Sequence, residues 1–145
     1  MKSAWGDMAD REFFDTNILI YASDRSAPEK QSQARRLLKH AIENETGVVS
    51  AQVLSEFFMV VTRRIQEPLP IEEAEQVIEQ LAILSVVDID VALVRQAIGT
   101  CRRYQISYWD ALIIAAAGRA GCTRILSEDL NPGQTYHNVA VVNPF

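Results

Sequence analysis

The chain has 145 residues, of which 48% are hydrophobic and 23% charged, and a formal net charge of −5. That length and apolar content fit one domain with a real core, and exclude a disordered chain, a fibre or a disulfide scaffold. The acidic balance argues against general polyanion binding, so any nucleic acid must be held by a local basic patch or through a bound metal.

Residues 1–10 are polar, include Asp7 and Asp10, and lack the apolar centre of a signal peptide. They read as a flexible extension ahead of a single domain over residues 11–145. No apolar run approaches the roughly 20 residues that cross a bilayer. Cys101 and Cys122 lack metal-ligand spacing and read as reduced thiols of a cytoplasmic protein.

Glu12, Phe13 and Phe14 predict a first strand, and a short helix starts near Thr16. Residues 28–45 predict an exposed helix whose apolar stripe is Ala34, Leu37, Leu38, Ala41 and Ile42. Residues 47–49 form a short second strand, and Ser50 is a natural N-cap for a helix to about Ile65. Pro68 and Pro70 break that helix, and Pro70 suits the first turn of another through about Ile83. A third strand follows over residues 84–87, and Asp90 caps a helix reaching about Arg103. Ser107 caps a helix over residues 108–120, with Gly121 at its stop. Residues 124–126 and 139–142 are the last strands, with Asn131, Pro132 and Gly133 as a turn between them. Such a β-α succession favours a parallel sheet covered by helices on both faces, with sites beyond the carboxyl ends of its strands.

Acidic residues stand where the chain changes element. Asp15 follows the first strand and adjoins a helix start, where an N-cap explains it as well as a ligand does. Glu56 lies roughly 40° outside the apolar stripe of its helix at 100° per residue, a margin that is half-buried and can reach a cleft. Asp110 is the one polar residue in the run 109–117, a helix expected to be buried nearly all round. An unpaired buried carboxylate there would cost several kcal/mol, about the scale of ion desolvation, so a compensating cation is the more economical account. Glu128 and Asp129 follow the fourth strand; adjacent side chains diverge, so one should face the site, and Asp129 is favoured.

Four motifs in order, Phe14-Asp15-Thr16-Asn17-Ile18-Leu19, Leu54-Ser55-Glu56-Phe57, Trp109-Asp110-Ala111-Leu112-Ile113 and Leu126-Ser127-Glu128-Asp129, resemble the PIN-domain nucleases. Their spacing looks most like the single-domain VapC-type toxins of bacterial toxin–antitoxin pairs, over residues 13–142. The resemblance implies a PIN-like α/β fold, a three-layer α/β/α sandwich with a central parallel sheet. It also implies an Mg²⁺- or Mn²⁺-dependent endoribonuclease, an RNA substrate, a homodimer and a cognate antitoxin. Asp15, Glu56, Asp110 and Asp129 match the family's acids by position, while Thr16, Asn17 and Ser127 match polar positions that support them. In that scheme Asp15, Asp110 and Asp129 are the metal ligands, and Glu56 binds a second metal or orients the attacking water.

Substrate contacts are less marked. Arg63, Arg64, Arg102 and Arg103 could touch phosphates, although basic residues there also complement helix dipoles. Trp109 could stack on a base, but core packing is the commoner role for a Trp in such a run. The rivals are a catalytically inactive PIN-like binding module and a haloacid-dehalogenase-like phosphatase, which needs a second acid where Asn17 stands. A response-regulator receiver needs a late lysine, and none follows Lys39. His40 and His137 lie outside the acidic motifs, which disfavours histidine-based RNA cleavage.

Overall fold

The structure, a computed structural model, describes residues 10–145. The expected flexible extension, residues 1–10, lies outside the described residues except for Asp10. The chain order is β1 (Glu12–Phe14), α1 (Thr16–Ser23), α2 (Pro28–Glu43), β2 (Gly47–Ser50), α3 (Ala51–Arg63) and α4 (Ile71–Leu81). It continues with β3 (Ser85–Val87), α5 (Val91–Tyr104), α6 (Tyr108–Arg119), β4 (Arg124–Leu126), β5 (Thr135–Tyr136) and β6 (Val139–Val142).

The six strands form one sheet in the order β3-β2-β1-β4-β6-β5. All pairings are parallel except β5 with β6. Parallel strands are buried on both faces, and β1 shows it: the side chains of Phe13 and Phe14 alternate across the sheet, yet both are fully buried. Burying each contributes about 1.5–3 kcal/mol. Helices α5 and α6 pack together, while α1 packs on both α2 and α3. This is the three-layer α/β/α arrangement the element order predicts.

Caps fix where the elements turn. Ser50, Asp90 and Ser107 each accept a backbone N–H from the first turn of α3, α5 and α6, at 3.3, 2.8 and 3.1 Å. Gly121, at φ +71°, takes the left-handed conformation that ends α6. Gly47 lets β2 pack closely: a Cβ there would sit 2.6 Å from Leu84 Cδ2 and 3.1 Å from Ala41 Cβ, so a larger residue requires the Leu84 side chain to shift. Pro70 is the N-cap residue of α4, one position before the helix it was expected to open.

Two expectations change. The segment after residue 133 is not plain loop: β5 pairs with β6 through a turn in which His137 and Asn138 both have positive φ, 49° and 67°. Helix α6 is buried over residues 111–117, but its first turn is not: Trp109 is exposed and Asp110 only half-buried.

Candidate active site

Strand order reverses direction between β1 and β4, since β2 lies on one side of β1 and β4 on the other. In an open parallel sheet the crevice at such a switch point, beyond the carboxyl ends, is the place for a ligand. Asp15 leaves β1 there and Ser127 leaves β4 there. The Asp15 N–H still bonds to the Leu126 carbonyl at 3.0 Å, so both segments hold strand register up to the site.

Asp15 is both an N-cap and a buried acid. Its Oδ1 accepts the Thr16 N–H at 2.7 Å, and its Oδ2 accepts the Ser127 hydroxyl at 2.7 Å. Its carboxyl is pushed up to about 6, chiefly by burial; those two hydrogen bonds oppose the rise, and the negative charges of Glu56 and Asp110 add to it. No ion pair among the described residues reaches Asp15, Glu56, Asp110 or Asp129. The desolvation argument made from sequence for Asp110 therefore belongs to Asp15.

Short polar bridges tie the other acids to it. The Thr16 hydroxyl donates to Glu56 Oε2 at 2.8 Å, so the residue after Asp15 holds the α3 acid. Glu56 is half-buried, as its helical angle predicts. The Asn17 amide nitrogen reaches Asp15 Oδ2 at 3.3 Å, Ser127 Oγ at 3.2 Å and Asp129 Oδ2 at 3.4 Å. Ser127 Oγ also accepts the N–H groups of Asp129 and Leu130, both at 3.1 Å, which folds the segment after β4 back toward Asp15. Asp110 enters through the field it exerts on Asp15, from the first turn of α6.

Glu128 goes elsewhere. Its Oε2 pairs with Lys30 Nζ at 2.9 Å, and its Oε1 accepts the Tyr21 hydroxyl at 3.2 Å. Lys30 also lies over the rings of Tyr21 and Phe145. Of the two adjacent acids, Asp129 is thus the one that shares a hydrogen-bond donor with Asp15.

Gln52 is a residue the sequence reading passed over. It is buried, and its amide nitrogen donates to Glu56 Oε1 at 3.1 Å and to the Trp109 carbonyl at 3.2 Å. Both neighbours are acceptors, which fixes the amide's orientation and leaves its Oε1 buried without a partner. Gln52 therefore links the α3 acid to the turn that carries Asp110. The available signal was a Gln one helical turn before Glu56 on the same face. His137 is not part of the cluster; its ring meets Thr100 Oγ1 at 2.9 Å on α5.

The donor chemistry fits a hard divalent cation: all four side chains offer oxygen, and no basic group neutralises them. As the acids stand, no set of three or more His, Cys, Asp or Glu among the described residues is gathered tightly enough to hold an ion directly.

The family profile of the PIN domain matches residues 13–137, and the chain belongs to the PIN-domain family. Solved structures share the fold. The toxin–antitoxin complex from Klebsiella pneumoniae is 17% identical, with a TM-score of 0.67 over 92% of this chain and 98% of that one. DNA-bound VapBC from Salmonella typhimurium is 18% identical, with a TM-score of 0.65 over 94% of this chain and 99% of that one. VapC20 of Mycobacterium tuberculosis, a sarcin-ricin loop cleaving toxin, is 19% identical, with a TM-score of 0.62 over 82% of this chain and 92% of that one. No curated protein sequence matches.

Proposed function

We propose that this chain is an endoribonuclease that hydrolyses RNA phosphodiester bonds with Mg²⁺ or Mn²⁺, and that it is the toxin of a toxin–antitoxin pair. The observation that carries the chemistry is Asp15, a buried carboxylate with no cationic partner, flanked by Glu56 and Asp110 at the switch point of the sheet. Membership of the PIN-domain family supports a nuclease. The toxin reading draws on the fold shared with VapC and VapBC proteins. Residues 11–145 then form one PIN domain acting in the cytoplasm, as a homodimer that a partner antitoxin neutralises. Among the described residues no helix is long and apolar enough to cross a membrane.

Asp15, Asp110 and Asp129 hold the cation in this reading. When bound, it supplies Lewis acidity, polarising a phosphoryl oxygen and the attacking water. The protein's own part is placement. Ser127 and Asn17 fix Asp15 and Asp129, while Thr16 and Gln52 hold one oxygen each of Glu56. Held this way, each Glu56 oxygen keeps a lone pair with which it can orient a water or accept its proton.

The test is RNA cleavage with and without Mg²⁺ by the parent protein and by Asp15→Asn and Asp110→Asn. Metal-dependent cleavage that both substitutions abolish is the expected result; undiminished cleavage in both folded variants contradicts the assignment. Growth arrest on expression, relieved by a co-expressed antitoxin, tests the toxin reading. The inactive binding-module alternative predicts no Mg²⁺ or Mn²⁺ binding at millimolar concentration.

A further inference from the structure

Trp109 breaks the packing pattern of its helix. Residues 111–117 are all buried, yet Trp109, two positions earlier, is 62% exposed. An indole is among the most costly side chains to leave in water, and a Trp in a folded chain normally buries most of its surface. Nothing local requires one here. The cap of α6 is made by Ser107 to the Asp110 N–H, and the helix core begins at Ala111. The indole's ring contact is with Tyr108, edge on, at 5.1 Å between centroids and 72° between planes. Tyr108 packs against the core, so the indole is braced from one side and presented to solvent.

Its backbone is also tied to the acidic cleft. Gln52 donates to the Trp109 carbonyl and to Glu56 from a single amide nitrogen, and Asp110 is the next residue. The backbone that carries the exposed indole is thereby held in fixed relation to Glu56, one of the groups proposed to act on a phosphodiester. The chain's net charge of −5 repels a polyanion away from a bound metal or a local basic patch, so an attraction that does not depend on charge adds to substrate binding. Base stacking on an aromatic ring is such an attraction. It requires a base free of its duplex neighbours, which single-stranded RNA offers and an A-form helix does not.

We propose that Trp109 is a stacking platform for a nucleobase of single-stranded RNA, next to the phosphate that the Asp15 cluster acts on. This rests on the ribonuclease reading. Stacking tolerates any base, so Trp109 contributes affinity and placement rather than a strict sequence code.

The experiment uses a Trp5→Phe background, in which Trp109 is the sole tryptophan. A short single-stranded RNA oligonucleotide is titrated into Trp5→Phe/Asp15→Asn protein with Mg²⁺ present, and indole fluorescence is followed. Quenching that saturates is expected. In cleavage assays on the Asp15 protein, Trp109→Ala raises KM for that RNA roughly 5- to 150-fold, and Trp109→Phe restores most of the loss. Parent protein that cleaves the RNA, with Trp109→Ala cleaving it equally well, overturns the platform and leaves the ribonuclease reading standing. So does a Trp109→Ala protein that turns from dimer to monomer with unchanged RNA affinity, which assigns the indole to a second copy of the chain. Parent protein that neither binds nor cleaves any RNA overturns the ribonuclease reading and the platform with it.

Discussion

The two ends of β1 carry acids in equal burial and opposite company. Glu12 and Asp15 are each 6% exposed, three residues apart, and each reaches across to β4. Glu12 meets Arg124, its register partner, whose guanidinium nitrogens approach Glu12 Oε2 at 2.9 and 3.1 Å. Asp15 meets only neutral donors, Ser127, Asn17 and the Thr16 N–H, and the charges that act on it are those of the acids Glu56 and Asp110. One pair of strands thus shows both ways of keeping a carboxylate inside. At the amino end a guanidinium balances the charge; at the carboxyl end no ion pair among the described residues does. Burial alone does not mark a functional acid, whereas burial without a counter-charge does.

Exchanging the carboxylates for amides separates the two ends most sharply. Asp15→Asn should lower RNA cleavage by at least about 100-fold, since even supporting residues of metal sites are worth 10- to 100-fold. The same change should raise the stability of the metal-free protein near neutral pH, by up to about 3 kcal/mol, the value of its displaced ionisation. Glu12→Gln should do the reverse. Cleavage stays at the parent level, and unfolding becomes easier by about 1–2 kcal/mol, discounted because Arg124 is half-exposed. Denaturant melts beside cleavage assays read both; equal activity losses in the two variants would erase the distinction.

The pH dependence of folding carries the same contrast. The Asp15 carboxyl lies at about 6 in the folded chain against 3.8 ordinarily, so the folded state holds the extra proton between those values. Its contribution to stability is therefore fully present below about 3.8 and lost as pH rises through about 6. Metal-free protein should show this falling component in thermal melts from acid to neutral pH, and Asp15→Asn should remove it.

A smaller effect is expected at Gln52. Gln52→Leu releases Glu56 and the Trp109 carbonyl, so kcat should fall about 10-fold. Stability should change little, because the substitution also removes a buried acceptor that has no partner. The smallest effect belongs to Glu128. Its oxygens are committed to Lys30 and Tyr21, so Glu128→Gln should leave cleavage unchanged while Asp129→Asn reduces it. The opposite outcome would move the fourth acid one residue back.

Much of this was legible in the chain itself, because caps and acids are local signals. Ser50, Asp90 and Ser107 start their helices where a hydroxyl or carboxylate can accept the first free amides. Asp15 was equally readable as a cap or a ligand, and its geometry makes it a cap whose second oxygen faces the cluster. What escaped was non-local. Strand β5 is two residues long, and its turn uses His137 and Asn138 in left-handed conformations without a glycine to announce them. The fate of Glu128 is decided by Lys30 on a distant helix, which no local pattern reveals. Trp109 and Asp110 looked buried because their helix is apolar, but periodicity does not say where along a helix burial begins.

The central proposal is that Asp15, Asp110 and Asp129, carried by separate segments, make one seat for a divalent ion with Glu56 beside it. Calorimetric titration of Mn²⁺ into the parent protein, Asp15→Asn and Glu12→Gln tests it most directly. Saturable binding in the parent and in Glu12→Gln, lost in Asp15→Asn, is the predicted result. Equal binding in all three, or none in the parent at millimolar ion, would contradict it.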